Sequence, residues 1–221
     1  MSRSLLELAS GAEGRLTNAP ARGGVVLVNG GQSAEVPGTW SATLEWLVLR
    51  LAPRCPDLGF LEVRYRRKSW RRLDSCVEDA AAGLRALQGR GVERCALVGF
   101  SMGGAVSVLA ASGDAVRAVL GLAPWLPEDL SFEPLRGKRF AVIHGSLDRG
   151  VPGIPGVTPA SSRRGFERAR ASGVADAHYT VVSGGLHGTA VRAPWGLVRL
   201  PRAYGWANLV ARELERFQAS G

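Results

Sequence analysis

The sequence predicts an α/β protein in which a mostly parallel sheet is covered by helices on both faces. Short apolar, β-branched runs typical of buried strands alternate with longer segments whose apolar residues recur at helical spacing. Several of these runs end in glycine-rich turns. The 221 residues, 46% of them hydrophobic, are enough to bury a substantial core. We expect one domain over residues 1–221, with residues 1–22 its least patterned part.

The first half of the chain contains two predicted strands and two predicted helices. In order, they are a strand at 25–28, a helix at 40–51, a strand at 61–65 and a helix at 74–89. Thr39 is the expected N-cap of the first helix, and Pro53 closes it. The second helix begins at Asp74 and ends at glycines.

The second half repeats the alternation. The predicted elements are strands at 95–98, 118–123, 140–144 and 179–182, and helices at 105–111, 158–172 and from Pro201 onward. Thr158 and Pro159 are typical of a helix start. The strand at 179–182 is predicted to be the last.

Charge and cysteine content restrict the class of protein. The net charge of +9 is able to attract nucleic acid, anionic lipid or acidic substrates without identifying one. No stretch approaches the roughly 18 uninterrupted apolar residues of a membrane helix, and Glu7 interrupts the N-terminal apolar run too early for a signal peptide. We therefore expect a cytoplasmic protein without membrane association. The three cysteines suggest neither a disulfide framework nor a zinc site.

Residues 99–103 read G-F-S-M-G, between a predicted strand and a predicted helix. This context is typical of a nucleophile elbow, in which a strained turn exposes a serine hydroxyl above the sheet edge. A side chain at Gly99 or Gly103 would collide with neighbouring chain. The alternative is an ordinary strand-to-helix turn, so the catalytic interpretation of Ser101 depends on the rest of the chain.

A catalytic serine needs a base, and the base needs an orienting carboxylate. His187 follows the last predicted strand in a glycine-rich loop, whereas His144 and His178 lie at strand ends, where a packed or surface role is expected. Asp148 lies at the carboxyl end of its strand, where open parallel sheets place ligands. Asp129 is the alternative acid.

Ser101, Asp148 and His187 follow three different strands in the order serine, acid, histidine. With the elbow, residues 144–148 (H-G-S-L-D) and residues 184–188 (G-G-L-H-G), the sequence resembles the α/β-hydrolase family over nearly its whole length. The resemblance implies the α/β-hydrolase fold, Ser101 as nucleophile, His187 as general base and acid, and Asp148 as its orienter. It implies esters or related acyl compounds as substrates. No metal-ligand spacing or cofactor fingerprint is present, so we expect no metal and no cofactor.

Only about fifteen residues separate the strands on either side of the usual lid position, so no cap domain is expected. The chain is similar to small uncapped esterases and dienelactone-hydrolase-like proteins. Trp125, Leu126 and the loop at 150–157 are predicted to border an open site. The short N-terminal segment is expected to omit the first strands of the family.

The resemblance places one oxyanion amide on Met102 and the other in the loop after the strand at 25–28. Many relatives carry His-Gly at that strand end, whereas residues 29–32 here read N-G-G-Q. Because the donor is a backbone amide, the missing histidine need not abolish the hole. Gly31 is favoured over Gln32 as donor, and Gln32 is a predicted substrate contact.

Six basic residues lie within residues 64–72: Arg64, Arg66, Arg67, Lys68, Arg71 and Arg72. A strand end at the catalytic edge would place them at the site entrance, where Arg66, Arg67 and Arg71 could bind an anionic group. The alternative is a solvated surface. Nucleic acid is not expected, because only two aromatic residues, Tyr65 and Trp70, accompany the cluster.

These features predict a serine hydrolase that cleaves a carboxylic ester or thioester through an acyl-serine intermediate. A noncatalytic binding protein of the same fold and an acyltransferase using the same triad are the alternatives. The natural substrate, acyl-chain length and oligomeric state are left open by the sequence.

Overall fold

The computed structural model describes residues 2–20, 23–149 and 157–219. Most of its strands form one large sheet with helices on both faces. The strands are β1 (Arg3–Glu7), β2 (Glu13–Thr17), β3 (Gly23–Val28), β4 (Val36–Pro37), β5 (Leu58–Arg64), β6 (Arg67–Lys68), β7 (Cys95–Phe100), β8 (Val116–Leu122), β9 (Arg139–Gly145), β10 (Asp176–Val182), β11 (Ala190–Ala193) and β12 (Gly196–Arg199). The α-helices are α1 (Ala42–Leu51), α2 (Leu73–Gln88), α3 (Gly103–Ala110), α4 (Pro159–Ala171) and α5 (Ala203–Ala219).

The main sheet has eight strands in the order β1-β2-β5-β3-β7-β8-β9-β10. The pairs from β5 to β10 are parallel, whereas β1 and β2 pair antiparallel with each other and β2 pairs antiparallel with β5. The carboxyl ends of the parallel strands therefore meet at one edge. The expectation that the N-terminal segment omits the family's first strands was wrong, since β1 and β2 complete this sheet.

Strand β3 shows how the core is divided between the two faces. Val26 and Val28 pack with the residues of α2, α3 and α4, whereas Val25 and Leu27 pack with those of α1 and α5. Because both faces are covered, the strand is apolar throughout instead of alternating. The same constraint explains why its β-branched run was recognisable in the sequence.

Two predicted helix starts had different outcomes. Thr158 caps α4 and forms a capping box with Ser161, as its sequence position predicts. The N-cap of α1 is Ser41, not Thr39 as predicted, and its Oγ accepts from the Leu44 N–H at 3.3 Å. The Thr39 carbonyl instead accepts a hydrogen bond from the Asn29 side chain.

The prediction that the strand at 179–182 is the last was also wrong, because the hairpin β11–β12 follows β10. The Thr189 hydroxyl just before it donates to the Thr43 carbonyl of α1 at 3.0 Å. The hairpin thus anchors the chain that leaves the His187 loop. Its strands are only four residues each, too short to show a clear alternation.

The connection from β8 to β9 is described in full and contains one 3-10 turn, Glu133–Leu135, with no cap domain. Among the helices of the described ranges, none has the length and apolar character needed to cross a membrane. At the carboxyl edge of the sheet, the β8–β9 connection is therefore a loop without an inserted domain.

A buried ion pair joins β2 to β5. Arg15 lies directly across from Glu62, and its guanidinium donates to both carboxylate oxygens at 2.5 and 2.9 Å. Glu45 of α1 lies 3.1 Å from the same guanidinium. The ring of Trp40 lies beneath it at 4.4 Å. This arrangement connects the antiparallel strands to the parallel part of the sheet.

We expect Glu62→Ala to reduce the free energy of unfolding by about 3 kcal/mol, because it leaves Arg15 buried without its main partner. Glu78→Ala is the matched control, since its pair with Arg66 is exposed and worth less than about 1 kcal/mol. Urea denaturation measures both values. Equal losses in the two variants would contradict a structural role for the Arg15–Glu62 pair.

Candidate active site

Ser101 lies in the tight turn between β7 and α3 with a φ of 54°, in the left-handed region that non-glycine residues rarely adopt. Its N–H donates to the Leu122 carbonyl at 3.0 Å, and its carbonyl accepts from Gly104 and Trp125 at 2.9 Å each. Such backbone costs about 1–3 kcal/mol and persists only where surrounding contacts impose it. Here the turn is fixed on both sides.

The glycines at both ends of the motif are required by space. A Cβ on Gly99 would lie 2.0 Å from the Gly103 carbonyl oxygen, and a Cβ on Gly103 would lie 2.3 Å from the Val28 carbonyl oxygen. Backbone cannot yield to such an overlap. The collision predicted from the sequence at both positions is therefore confirmed.

Asp148 and His187 are brought together at the same sheet edge, after β9 and β10. The Nδ1 of His187 lies 2.6 Å from Asp148 Oδ2, and its ring packs on Phe100 with 5.0 Å between centroids. Burial alone raises the pKa of Asp148, but hydrogen bonds from His144 and His187 and the charges of these rings hold it well below its usual range. The carboxylate is therefore ionised at neutral pH.

Ser101 and His187, the predicted nucleophile and base, are brought near each other through Phe100. In the described part of the chain, no hydrogen bond joins Ser101 Oγ to the His187 ring. The ring is nonetheless placed beside the elbow by its packing on Phe100, the residue before Ser101. Catalytic hydrogen bonds are often long in a ligand-free site and shorten when substrate binds.

The loop after β3 lies directly against the elbow. A Cβ on Gly31 would lie 2.2 Å from the Met102 sulfur, and a Cβ on Gly30 would lie 3.2 Å from the Ser101 Cβ. The Gly30 N–H donates to the Asn29 side chain at 2.7 Å. For the N–H groups of Gly31 and Met102, the described residues provide no acceptor. Two amides are thus free to bind a developing negative charge.

Asn29 is a positioning residue that the sequence interpretation overlooked. Its Nδ2 donates to the Thr39 carbonyl at 3.0 Å, and its carbonyl accepts from the Tyr65 hydroxyl at 3.0 Å. With its bond to Gly30, these contacts fix the loop at both ends. Its place in the N-G-G-Q sequence, where relatives carry histidine, was the available clue.

An aromatic pair borders the oxyanion side of the site. The Trp70 and Trp125 rings stack with 6.4 Å between centroids and 29° between planes. The backbone N–H of Trp125 donates to the Ser101 carbonyl and so links this residue to the elbow. The backbone N–H of Trp70 donates to the Gln32 carbonyl at 3.3 Å. The structure thus places Trp125 beside the elbow and Gln32 next to Gly31, and their contacts with substrate stay predictions. Trp70 was missed because its neighbours are basic.

Leu126 has only 6% of its surface exposed and packs on Gly165 of α4. Beside it, a groove of about 610 Å³ separates residues 125–128 from α4. The predicted border at residues 150–157 lies outside the described residues, except for Val157. Asp129 is exposed, and within the described ranges no histidine contacts it.

The basic cluster is largely paired with acids. Arg66 bonds Asp79 at 2.7 Å and also pairs with Glu78, while its contact with substrate stays a prediction. Arg64 and Arg72 pair with Glu13 and Glu35. Arg67 and Arg71 are exposed, and the described residues provide no acidic partner for either.

His144 is packed, as expected, but it also contacts Asp148, which the sequence did not predict. It is fully buried, and its Nε2 lies 2.9 Å from the same Asp148 oxygen that His187 contacts.

Within the described ranges, no group of three or more His, Cys, Asp or Glu side chains could hold a metal ion. All three cysteines are buried, and burial raises the pKa of Cys95 to about 11, so its thiol is a poor nucleophile.

The chain is similar to known proteins in its fold, whereas comparisons of its sequence find no match. No family model matches the chain, and no curated protein matches it. Several solved structures match the chain in their fold. A dienelactone hydrolase from Anabaena variabilis is 16% identical, with a TM-score of 0.64 over 96% of this chain and 95% of that one. An esterase from Pyrococcus furiosus is 12% identical, with a TM-score of 0.68 over 99% and 90%.

A third similar structure is a dienelactone hydrolase-like promiscuous phosphotriesterase from metagenomic libraries, 20% identical, with a TM-score of 0.62 over 96% of both chains. All three cover this chain almost completely. With its mostly parallel sheet, two helical layers and no cap domain, the chain has the α/β-hydrolase fold.

Proposed function

We propose that the protein is a serine hydrolase that cleaves carboxylic esters or thioesters through an acyl-serine intermediate. The observation that carries the proposal is the strained Ser101 at the sheet edge where Asp148 holds His187 by a 2.6 Å hydrogen bond. Strained backbone at a tight turn is maintained here by bonds to β8 and to Trp125. An ordinary strand-to-helix turn does not need this geometry.

In the proposed reaction, Ser101 Oγ attacks the substrate carbonyl while its proton passes to His187 Nε2. Asp148 accepts the hydrogen bond from Nδ1–H and stabilises the imidazolium that forms. The amides of Met102 and Gly31 bind the oxyanion. His187 then gives the proton to the leaving alcohol or thiol. In the second half of the reaction, His187 takes a proton from water as the water attacks the acyl-serine carbonyl, and it returns the proton to Ser101 Oγ as the acid leaves.

For substrate binding, we propose Trp125, Leu126 and Gln32 beside the oxyanion amides, with Trp70 added from the structure. Arg67 and Arg71 are the proposed contacts for an anionic substituent, because their charges are not matched by described acids. Arg71 adjoins Trp70, whose ring lies against the Gly31 backbone. Arg66 is omitted because Asp79 and Glu78 already hold it.

The first prediction concerns the nucleophile. We expect a fluorophosphonate probe to label the wild-type protein and to leave Ser101→Ala unlabelled, because the probe phosphonylates an activated serine. Gel fluorescence and intact mass measure this difference. Ser107→Ala is a control serine on α3. A folded wild-type protein that stays unlabelled would favour a noncatalytic role. In a separate assay, transfer of the acyl group to an added alcohol or amine would favour the acyltransferase alternative.

The second prediction concerns the base and its orienter. His187→Ala and Asp148→Asn should each lower kcat by about 10⁴-fold, since the one removes the base and the other misorients it. Steady-state kinetics on an activated ester measure both losses. His178→Ala, which alters a partly exposed histidine paired with Asp176, should retain activity. Full activity in Asp148→Asn would exclude Asp148 as the orienter.

The third prediction concerns substrate charge. Replacing both Arg67 and Arg71 with glutamine should raise KM about fivefold for an anionic ester and leave a neutral ester of equal length unchanged. Added salt should weaken the wild-type preference by screening. Replacing both Arg85 and Arg90 with glutamine, at the C-terminal end of α2 and away from the carboxyl edge of the sheet, is the charge-matched control. An equal effect on both esters would make Arg67 and Arg71 a solvated surface.

A further inference from the structure

His144 takes no part in the proposed reaction, yet it is built into the catalytic carboxylate. It lies near the end of β9, four residues before Asp148, and none of its surface is exposed. Its Nε2 lies 2.9 Å from Asp148 Oδ2, while the His187 Nδ1 lies 2.6 Å from the same oxygen. One carboxylate oxygen is therefore shared by two imidazole rings.

The other ring nitrogen of His144 begins a chain of short polar contacts. Its Nδ1 lies 2.7 Å from Ser162 Oγ on α4. Ser162 Oγ lies 2.9 Å from the Tyr179 hydroxyl on β10, which donates to the Pro159 carbonyl at 2.8 Å. The chain thus runs from a carboxylate to a backbone carbonyl, and both ends only accept hydrogen bonds.

Counting protons along these contacts favours a charged ring over a neutral one. The contacts from Asp148 through His144, Ser162 and Tyr179 to Pro159 number four, and each needs one proton between its atoms. Each hydroxyl supplies one proton, and a neutral imidazole supplies one more, so one contact is left without a proton. An imidazolium supplies two protons, so that each of these four contacts has one. The 3.2 Å approach of Ser162 Oγ to the Pro159 carbonyl adds another acceptor and no further donor.

We propose that His144 is an imidazolium that positions Asp148 and moderates its charge, so that His187 can act as a base at lower pH. The kinetic part of this proposal rests on the proposed function. A cation on the shared oxygen offsets part of the negative potential that stabilises protonated His187. Without that cation, His187 would keep its proton to a higher pH.

Among the described residues, the other titratable and charged groups near the ring are few. Asp148 and His187 face the ring from the loops at the sheet edge, and Arg149 beside Asp148 is exposed. From β10, burial raises the pKa of Tyr179 and keeps its hydroxyl protonated. Arg163 of α4 lies 3.8 Å from the centroid of the Tyr179 ring and pairs with Glu167.

The remaining neighbours are apolar or distant. Strand β8 presents Leu122 beside β9, and the Glu213 carboxylate of α5 lies near Arg139, at the opposite end of β9 from His144. Burial opposes a charged imidazole, so the contact with Asp148 and the completed chain must offset it. The Asp148 carboxylate, ionised and in direct contact, is the group that does so.

Two variants test the kinetic consequence. His144→Gln keeps an amide donor toward Asp148 without the charge, and Ser162→Ala keeps the ring but removes the acceptor for its Nδ1 proton. In both, the acid midpoint of the pH profile of kcat/KM should rise by about one pH unit. His178→Gln, a control on a partly exposed histidine paired with Asp176, should leave the midpoint unchanged. A role limited to packing would lower stability or rate without moving the midpoint.

A second measurement needs neither a variant nor turnover. In ¹⁵N-labelled wild-type protein at pH 7, both ring nitrogens of His144 should have the chemical shifts of protonated imidazole nitrogen. A bare Nδ1 would overturn the proposal, as would an unchanged acid midpoint in both variants. Failure of wild-type labelling by the fluorophosphonate would instead overturn the proposed function, and the nitrogen shifts would still decide the charge of His144.

Discussion

The close approach of α3 to β3 is the constraint on which the candidate site depends. Gly103 fits against the Val28 carbonyl with no room for a Cβ, which places the first turn of the helix directly behind Ser101. This contact forces the serine into left-handed backbone and sets the direction of the Met102 amide. It also brings the Gly30–Gly31 loop against the elbow. The proposed nucleophile and the proposed oxyanion donors are therefore positioned by the same packing.

The second half of the site is organised by one carboxylate. Burial makes an ionised Asp148 costly, and the hydrogen bonds that offset this cost come from one residue nearby in sequence and one distant from it. His187 arrives from the loop after β10, and His144 belongs to β9 itself. Through Ser162 and Tyr179, His144 connects Asp148 to α4 and β10. The orienting group is thus braced by the helical layer beneath the site.

The sequence was informative where local chemistry determines structure. Buried strands such as β3 and the glycines of the elbow were predicted because continuous apolar runs and tight turns restrict residue choice. Strand β1 was missed because most of its residues are exposed at the sheet edge. The partners of His144 could not be predicted, since Ser162 and Tyr179 meet it only after α4 and β10 pack on β9. Likewise, the acids that pair with Arg64 and Arg66 are distant in sequence.

Those pairs change the electrostatic character of the entrance. The sequence places six basic residues within nine positions, but the fold brings Glu13, Glu35, Glu78 and Asp79 to Arg64, Arg66 and Arg72. In this basic cluster, the charges without a described acidic partner are therefore those of Arg67, Lys68 and Arg71. Because exposed charges are screened beyond about 10 Å in ordinary buffer, only anionic groups that bind next to these side chains should gain. Under the proposed function, the site would then select substrates by short-range charge at its rim and by stacking on Trp70 and Trp125.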